Sequence, residues 1–84
     1  MKCDCCGKKK GFFESFSLIK TKQYNLNLCA RCNNIEFKIR DYSALNNKEE
    51  VNKALIQIDN LSKDKCSKKF EEWHKEFVNN VIIK

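Results

Sequence analysis

Cys3-Asp4-Cys5-Cys6-Gly7 stands at the start of the chain and Cys29-Ala30-Arg31-Cys32 follows, with 22 residues between Cys6 and Cys29. Two Cys-x-x-Cys pairs allow four thiolates to converge on one ion at about 2.3 Å, the closed tetrahedral donor set of a structural zinc site. Cysteines two residues apart make poor disulfide partners, so the pattern predicts one Zn2+ held by Cys3, Cys6, Cys29 and Cys32 rather than a disulfide framework. Gly7 directly after Cys6 strengthens this reading. A knuckle that wraps backbone amides around sulfur needs a residue tolerant of positive φ at that point.

Working outward, the chain has 84 residues, a size at which an apolar core alone gives a few kcal/mol of stability and a metal staple becomes useful. It is read as a single domain, 1–84, made of a zinc lobe over 1–45 and a helical hairpin over 46–84. No apolar run follows Met1-Lys2-Cys3, and no stretch reaches the 18 or so apolar residues of a membrane span, so neither a secretory leader nor a membrane partner is expected. Six cysteines without such a leader fit a reducing cytoplasm, as thiolate ligands and spare thiols.

The formal charge of +6 is uneven: residues 1–40 hold nine Lys or Arg against three acids, whereas residues 41–84 hold eight of each. Four thiolates and one divalent ion add minus two, leaving the metal-loaded lobe near +4. That charge suits a phosphate-bearing or otherwise acidic partner, and equally suits ordinary solubility.

Lys8-Lys9-Lys10-Gly11 reads as a turn, followed by strands over 12–19 and 23–28 with the hairpin turn near Lys20-Thr21-Lys22. Phe16 and Leu18 on one strand, and Tyr24, Leu26 and Leu28 on the next, share a period of two. Ala30 to Tyr42 carries Ile35, Ile39 and Tyr42 at helical spacing, which places the second cysteine pair at a helix start. A second helix begins at the cap Asn47 with Glu50 three residues on, and Val51, Ala54, Leu55, Ile58 and Leu61 form its stripe. Asp59 to Asp64 is polar and poor in helix formers, which predicts a turn; were it helical, one arm of about 50 Å would result. From Ser67 a third helix carries Phe70, Trp73, Phe77 and Val81 on one face. The expectation is an α+β fold with an antiparallel hairpin of the last two helices.

A knuckle, a β-hairpin and a helix whose first turn supplies the second cysteine pair is the order of parts in a treble clef. Cys3-Asp4-Cys5-Cys6-Gly7-Lys8-Lys9-Lys10-Gly11-Phe12-Phe13 with Leu28-Cys29-Ala30-Arg31-Cys32 resembles small treble-clef zinc-finger modules of unassigned function from bacteria and phages, over residues 3 to about 42. The resemblance implies Cys3, Cys6, Cys29 and Cys32 as ligands and Gly7 as the knuckle glycine. Treble clefs bind nucleic acid, bind proteins or serve as scaffolds, so function stays open.

Four thiolates saturate zinc and leave no position for a reactive water, so no enzymatic role is expected. Cys66 and His74 make a poor nucleophile pair, being about 12 Å apart along one helix. Cys5 is read as a free thiol, Cys66 as a small buried hydrophobe and His74, in the stripe of Phe70, as a packing residue. Two binding classes remain. Nucleic acid or a nucleoprotein would meet Lys8, Lys9, Lys10, Lys20, Lys22, Arg31 and Lys38, with Phe12, Phe13 or Tyr24 stacking on bases if exposed and filling the core if not. Arg40 points with Glu36 away from the other helical bases, so no single basic face emerges. A protein partner or homodimer, including a phage-type inhibitor or adaptor docking on a host enzyme, would use Phe70, Trp73, Phe77 and Val81, with Val81-Ile82-Ile83 at the end.

Overall fold

The computed structural model describes residues 1–82. Two antiparallel strands, β1 (Ser17–Lys20) and β2 (Asn25–Leu28), precede three helices, α1 (Ala30–Ala44), α2 (Lys48–Ser62) and α3 (Lys68–Ile82). The α+β expectation is met in that form.

Ile19 lies opposite Leu26 and Leu18 opposite Asn27. Directly opposed residues share a face, so the fully buried Leu26 turns Ile19 inward and leaves Leu18 exposed. Phe16 and Leu18, which share a period of two, are therefore parted: Phe16 packs against the core and Leu18 does not. The strands are also shorter than expected, because Phe12 and Phe13 sit in a turn ahead of β1. The hairpin closes where Thr21 Oγ1 accepts hydrogen bonds from the amides of Gln23 and Tyr24 at 3.2 and 2.9 Å.

Asn47 caps α2, its side chain accepting from the Glu50 amide at 3.3 Å, as the sequence predicts. The link before it turns at Asn46, whose φ of 57° suits one of the few non-glycine residues at home in the left-handed region. Helix α2 runs through the predicted turn to Ser62, and the chain reverses at 63–67 with Asp64 at φ 59°. Burial explains the shift: Ile58 is fully buried and Leu61 packs against the core, which outweighs the modest helix propensity of Asp59 and Asn60. One long arm is thereby ruled out. The expected α2–α3 hairpin also gives way to a different arrangement, in which both helices pack chiefly on α1.

A continuous apolar cluster runs from Cys3, Cys5, Leu26 and Leu28 through Ile35 and Ile39 to Val51, Ala54, Ile58, Phe70 and Trp73. Asp4 ties the first cysteine pair to β2 and to the residue before α3. Its amide donates to Asn27 O at 2.7 Å, its Oδ2 accepts from the Asn27 amide at 2.7 Å, and its carbonyl accepts from the Ser67 amide at 2.8 Å. The knuckle is thus docked on β2 and on the start of α3. Gly7 has φ 75°, and a Cβ there would lie 3.4 Å from the Lys65 carbonyl oxygen. Gly7→Ala is expected to cost about 1–2 kcal/mol of unfolding free energy, checked by urea denaturation of the metal-loaded protein. Ile83, part of the predicted apolar C-terminus, lies outside the described residues.

Candidate metal centre

The Cys3 carbonyl accepts from the Gly7 amide at 2.9 Å and the Cys3 amide donates to Lys8 O at 2.8 Å, curling the first pair into a tight loop. The second pair is set by helix geometry. Cys29 is the N-cap of α1 and Cys32 lies in its first turn. Cys29 also donates its amide to Cys3 Sγ at 3.3 Å, bringing the two knuckles together across β2.

As a result the sulfurs of Cys3, Cys6, Cys29 and Cys32 all lie within 4.8 Å of one another, with Cys6 and Cys29 Sγ 3.8 Å apart. A tetrahedral ion with ligands at about 2.3 Å requires sulfurs about 3.8 Å apart, so the donor set fits such an ion. The electrostatics agree. Cys3 is drawn down to about 4, chiefly by the Cys32 thiol and against its burial, with the Cys29, Cys6 and Cys5 amides helping. Cys32 is pushed up by sharing its proton with Cys3 and Cys5 and by burial, and Cys6 is pushed up by burial. Sulfurs this crowded resist ionising together until a cation takes up the charge, and the thiolate is the ligating form. Among the described residues these four are the one group of three or more Cys, His, Asp or Glu able to hold a metal ion.

Cys5 is fully buried and stands outside the four-sulfur set. Burial raises the Cys66 thiol, and Glu71 adds to this, the opposite of an activated nucleophile. His74 is a packing residue as expected, stacked on Phe70 at 5.4 Å. Its partner is a surprise: His74 Nδ1 lies 2.8 Å from Oε1 and 3.1 Å from Oε2 of Glu36, which is 2% exposed. Glu36 lies one turn after Cys32 and three residues before Ile39, in line with the buried stripe of α1. An acid in one apolar stripe and a histidine in another was the signal that could have paired them. Arg40 is engaged elsewhere, 3.3 Å from Asp41 Oδ1 and over the Phe37 ring.

Lys9, Lys10, Lys20 and Lys22 are exposed on the knuckle, the end of β1 and the hairpin turn. Lys8 is committed to Glu14 at 2.7 Å, and Glu14 is held below the usual carboxylate range chiefly by that lysine. Lys2 joins the basic group unannounced by the sequence, because an isolated antiparallel bridge sets it beside Lys9. Arg31 and Lys38 lie apart from these on α1, lining with Asn34, Gln57 and Asn60 a groove of about 400 Å³ against α2.

Phe12 and Phe13 are 91% and 94% exposed, so of the two readings the core-filling one fails; Tyr24 is half-buried against the core. Of the expected interaction stripe, Phe70 and Trp73 are buried, whereas Phe77 and Val81 are half-buried and pack partly against the core. No helix among the described residues is long and apolar enough to cross a membrane. Comparison of the chain with protein-family models, curated proteins and solved structures finds no match.

Proposed function

We propose that the chain is a non-enzymatic nucleic-acid-binding module of treble-clef type, stapled by one structural Zn2+ on Cys3, Cys6, Cys29 and Cys32. Zinc is favoured because an all-thiolate, tetrahedral, closed set suits it and leaves no open position for a reacting water. A reducing cytoplasm would keep those thiols available as ligands.

The observation that carries the binding reading is the character of the exposed N-terminal surface. Lys2, Lys9 and Lys10 stand free in solvent beside exposed Phe12 and Phe13. The acids of the same half are each engaged within the chain, Asp4 by the Asn27 amide and Lys69, Glu14 by Lys8 and Glu36 by His74. What faces outward is therefore more basic than the net charge suggests, and cations beside stackable rings are the means by which proteins hold nucleic acid without reading base edges. The alternative, a protein partner met by the α3 face, has less support, because Phe70 and Trp73 are buried and Phe77 and Val81 are partly covered by the core.

The test is binding of the zinc-loaded protein to labelled DNA and RNA across about 50 to 200 mM salt. The logarithm of affinity should fall linearly with that of salt, by about 0.7–0.9 per phosphate neutralised. The double variant Lys9→Glu, Lys10→Glu should weaken binding and flatten that slope by roughly 1.5. Lys8 is left intact because its change would release Glu14. Absence of binding at low salt, in any nucleic-acid form, refutes the reading.

A further inference from the structure

Phe12 and Phe13 are the central pair of a turn closed by the Glu14 amide donating to Gly11 O at 3.2 Å. The carboxylate of Glu14 clamps that turn from both sides. Its Oε1 accepts from the Gly11 amide at 2.9 Å and its Oε2 from Lys8 Nζ at 2.7 Å. A Cβ on Gly11 would fall 2.5 Å from Glu14 Oε1, so glycine is what lets the clamp close. Upstream, the Lys10 amide donates to Met1 O at 3.0 Å and Lys2 pairs with Lys9, which leads the basic segment into the turn. Two nearly fully exposed phenylalanines are held in place by this scaffold, although water disfavours them there.

The ring planes meet at 81° with centroids 4.9 Å apart. Perpendicular rings cannot both enter one base step, since stacked bases lie parallel. Each instead offers its own face to a separate, splayed base. Duplex recognition, in contrast, needs an element free to enter a groove. Helix α1 keeps an exposed face that carries Arg31, Lys38 and Arg40. Arg40 is engaged by Asp41 and Phe37 and the other two line the groove against α2, so that face presents no continuous row of basic side chains to a duplex. We propose that the Gly11–Glu14 turn is a stacking platform for two unpaired bases, so that the chain takes single-stranded nucleic acid in preference to duplex, with Glu14 as the positioning residue. This rests on the nucleic-acid reading above. An anionic bilayer is the other surface that cations and phenylalanines suit, but insertion of the rings would drag the ionised Glu14 toward it.

The experiment measures fluorescence anisotropy of the full-length, zinc-loaded protein with a labelled 12-nucleotide single strand, as DNA and as RNA. A dumbbell duplex of the same sequence, closed at both ends so that no terminal base pair is free to stack, is the second probe. Co-sedimentation with vesicles of phosphatidylserine and phosphatidylcholine runs in parallel. The single strand should bind about tenfold or more tightly than the dumbbell. Phe12→Ala and Phe13→Ala should each lose about tenfold, without change in the salt slope. Glu14→Ala should weaken binding a few-fold, although removing an acid from a phosphate-binding surface would by charge alone strengthen it. All three positions are on the surface, and circular dichroism verifies that the variants stay folded. Equal binding of both probes, indifferent to Phe12→Ala and Phe13→Ala, overturns the platform while leaving the nucleic-acid reading intact. Preference for the dumbbell with sensitivity at Phe12 overturns it in favour of an intercalating wedge. Binding to vesicles but to neither oligonucleotide, or to nothing at all, overturns both.

Discussion

Changing Cys29 to serine is expected to abolish the folded N-terminal half and, with it, binding of the proposed zinc ion. The substitution is informative because it pulls in two directions. Cys29 is the N-cap of α1 and its side chain makes no capping hydrogen bond. Serine is among the best residues for that position, so local helix energetics favour the variant by up to about 1 kcal/mol. Against this stands the loss of one of the four sulfurs proposed to hold zinc. Binding free energies of structural zinc are about 10–16 kcal/mol near neutral pH, comparable to the whole stability of a small domain at about 5–15 kcal/mol. The metal effect should dominate by an order of magnitude. Circular dichroism should show collapse of the fold, metal analysis should give a stoichiometry well below one, and a chelator should do the same to the parent protein. A variant that stays folded without an ion would show that the four sulfurs are merely neighbours.

The second large effect is expected at Trp73, and it separates two readings of the same residue. As an interface residue it would be replaceable with loss of a partner and little loss of stability. In the structure it is 8% exposed, stacked on Phe77 at 5.0 Å and tilted against Phe70 at 5.9 Å. Trp73→Ala should therefore cost about 3–5 kcal/mol, the usual range for truncating a large buried aromatic. In a chain of this size that corresponds to a fall in Tm of roughly 15 °C or more. Thermal melts of the zinc-loaded protein measure it. A Tm within a few degrees of the parent would return Trp73 to the surface and restore the docking role for α3.

How much of this could be read in advance differs from element to element. The α2 cap was legible because Asn47 and Glu50 interact over three residues, and the cysteine knuckle because its ligands and Gly7 are adjacent. Such short-range signals survive whatever the rest of the chain does. The end of α2 was misplaced because propensity is a weak local force, and the burial of Ile58 and Leu61 depends on what α1 presents to them. The burial of Glu36 was not legible for a related reason. An acid is outside unless something buried answers it, and its answer, His74, is 38 residues away.

By itself, then, the sequence determined the four sulfur donors, the order of hairpin and helices, and which faces of α2 and α3 are apolar. Those properties follow from ligand spacing and from periodicities of two and 3.6, which are local in the chain. Only the tertiary structure decided that Leu18 faces out and Ile19 in, that α2 and α3 both lean on α1, and that Phe70 and Trp73 of α3 are spent on the core. It alone decided that Phe12 and Phe13 are left over in solvent, on a turn that Glu14 closes. The physical reason is that a hydrophobic side chain carries no address: which apolar surface is covered depends on the area its neighbours can supply, a quantity set only when the whole chain has packed.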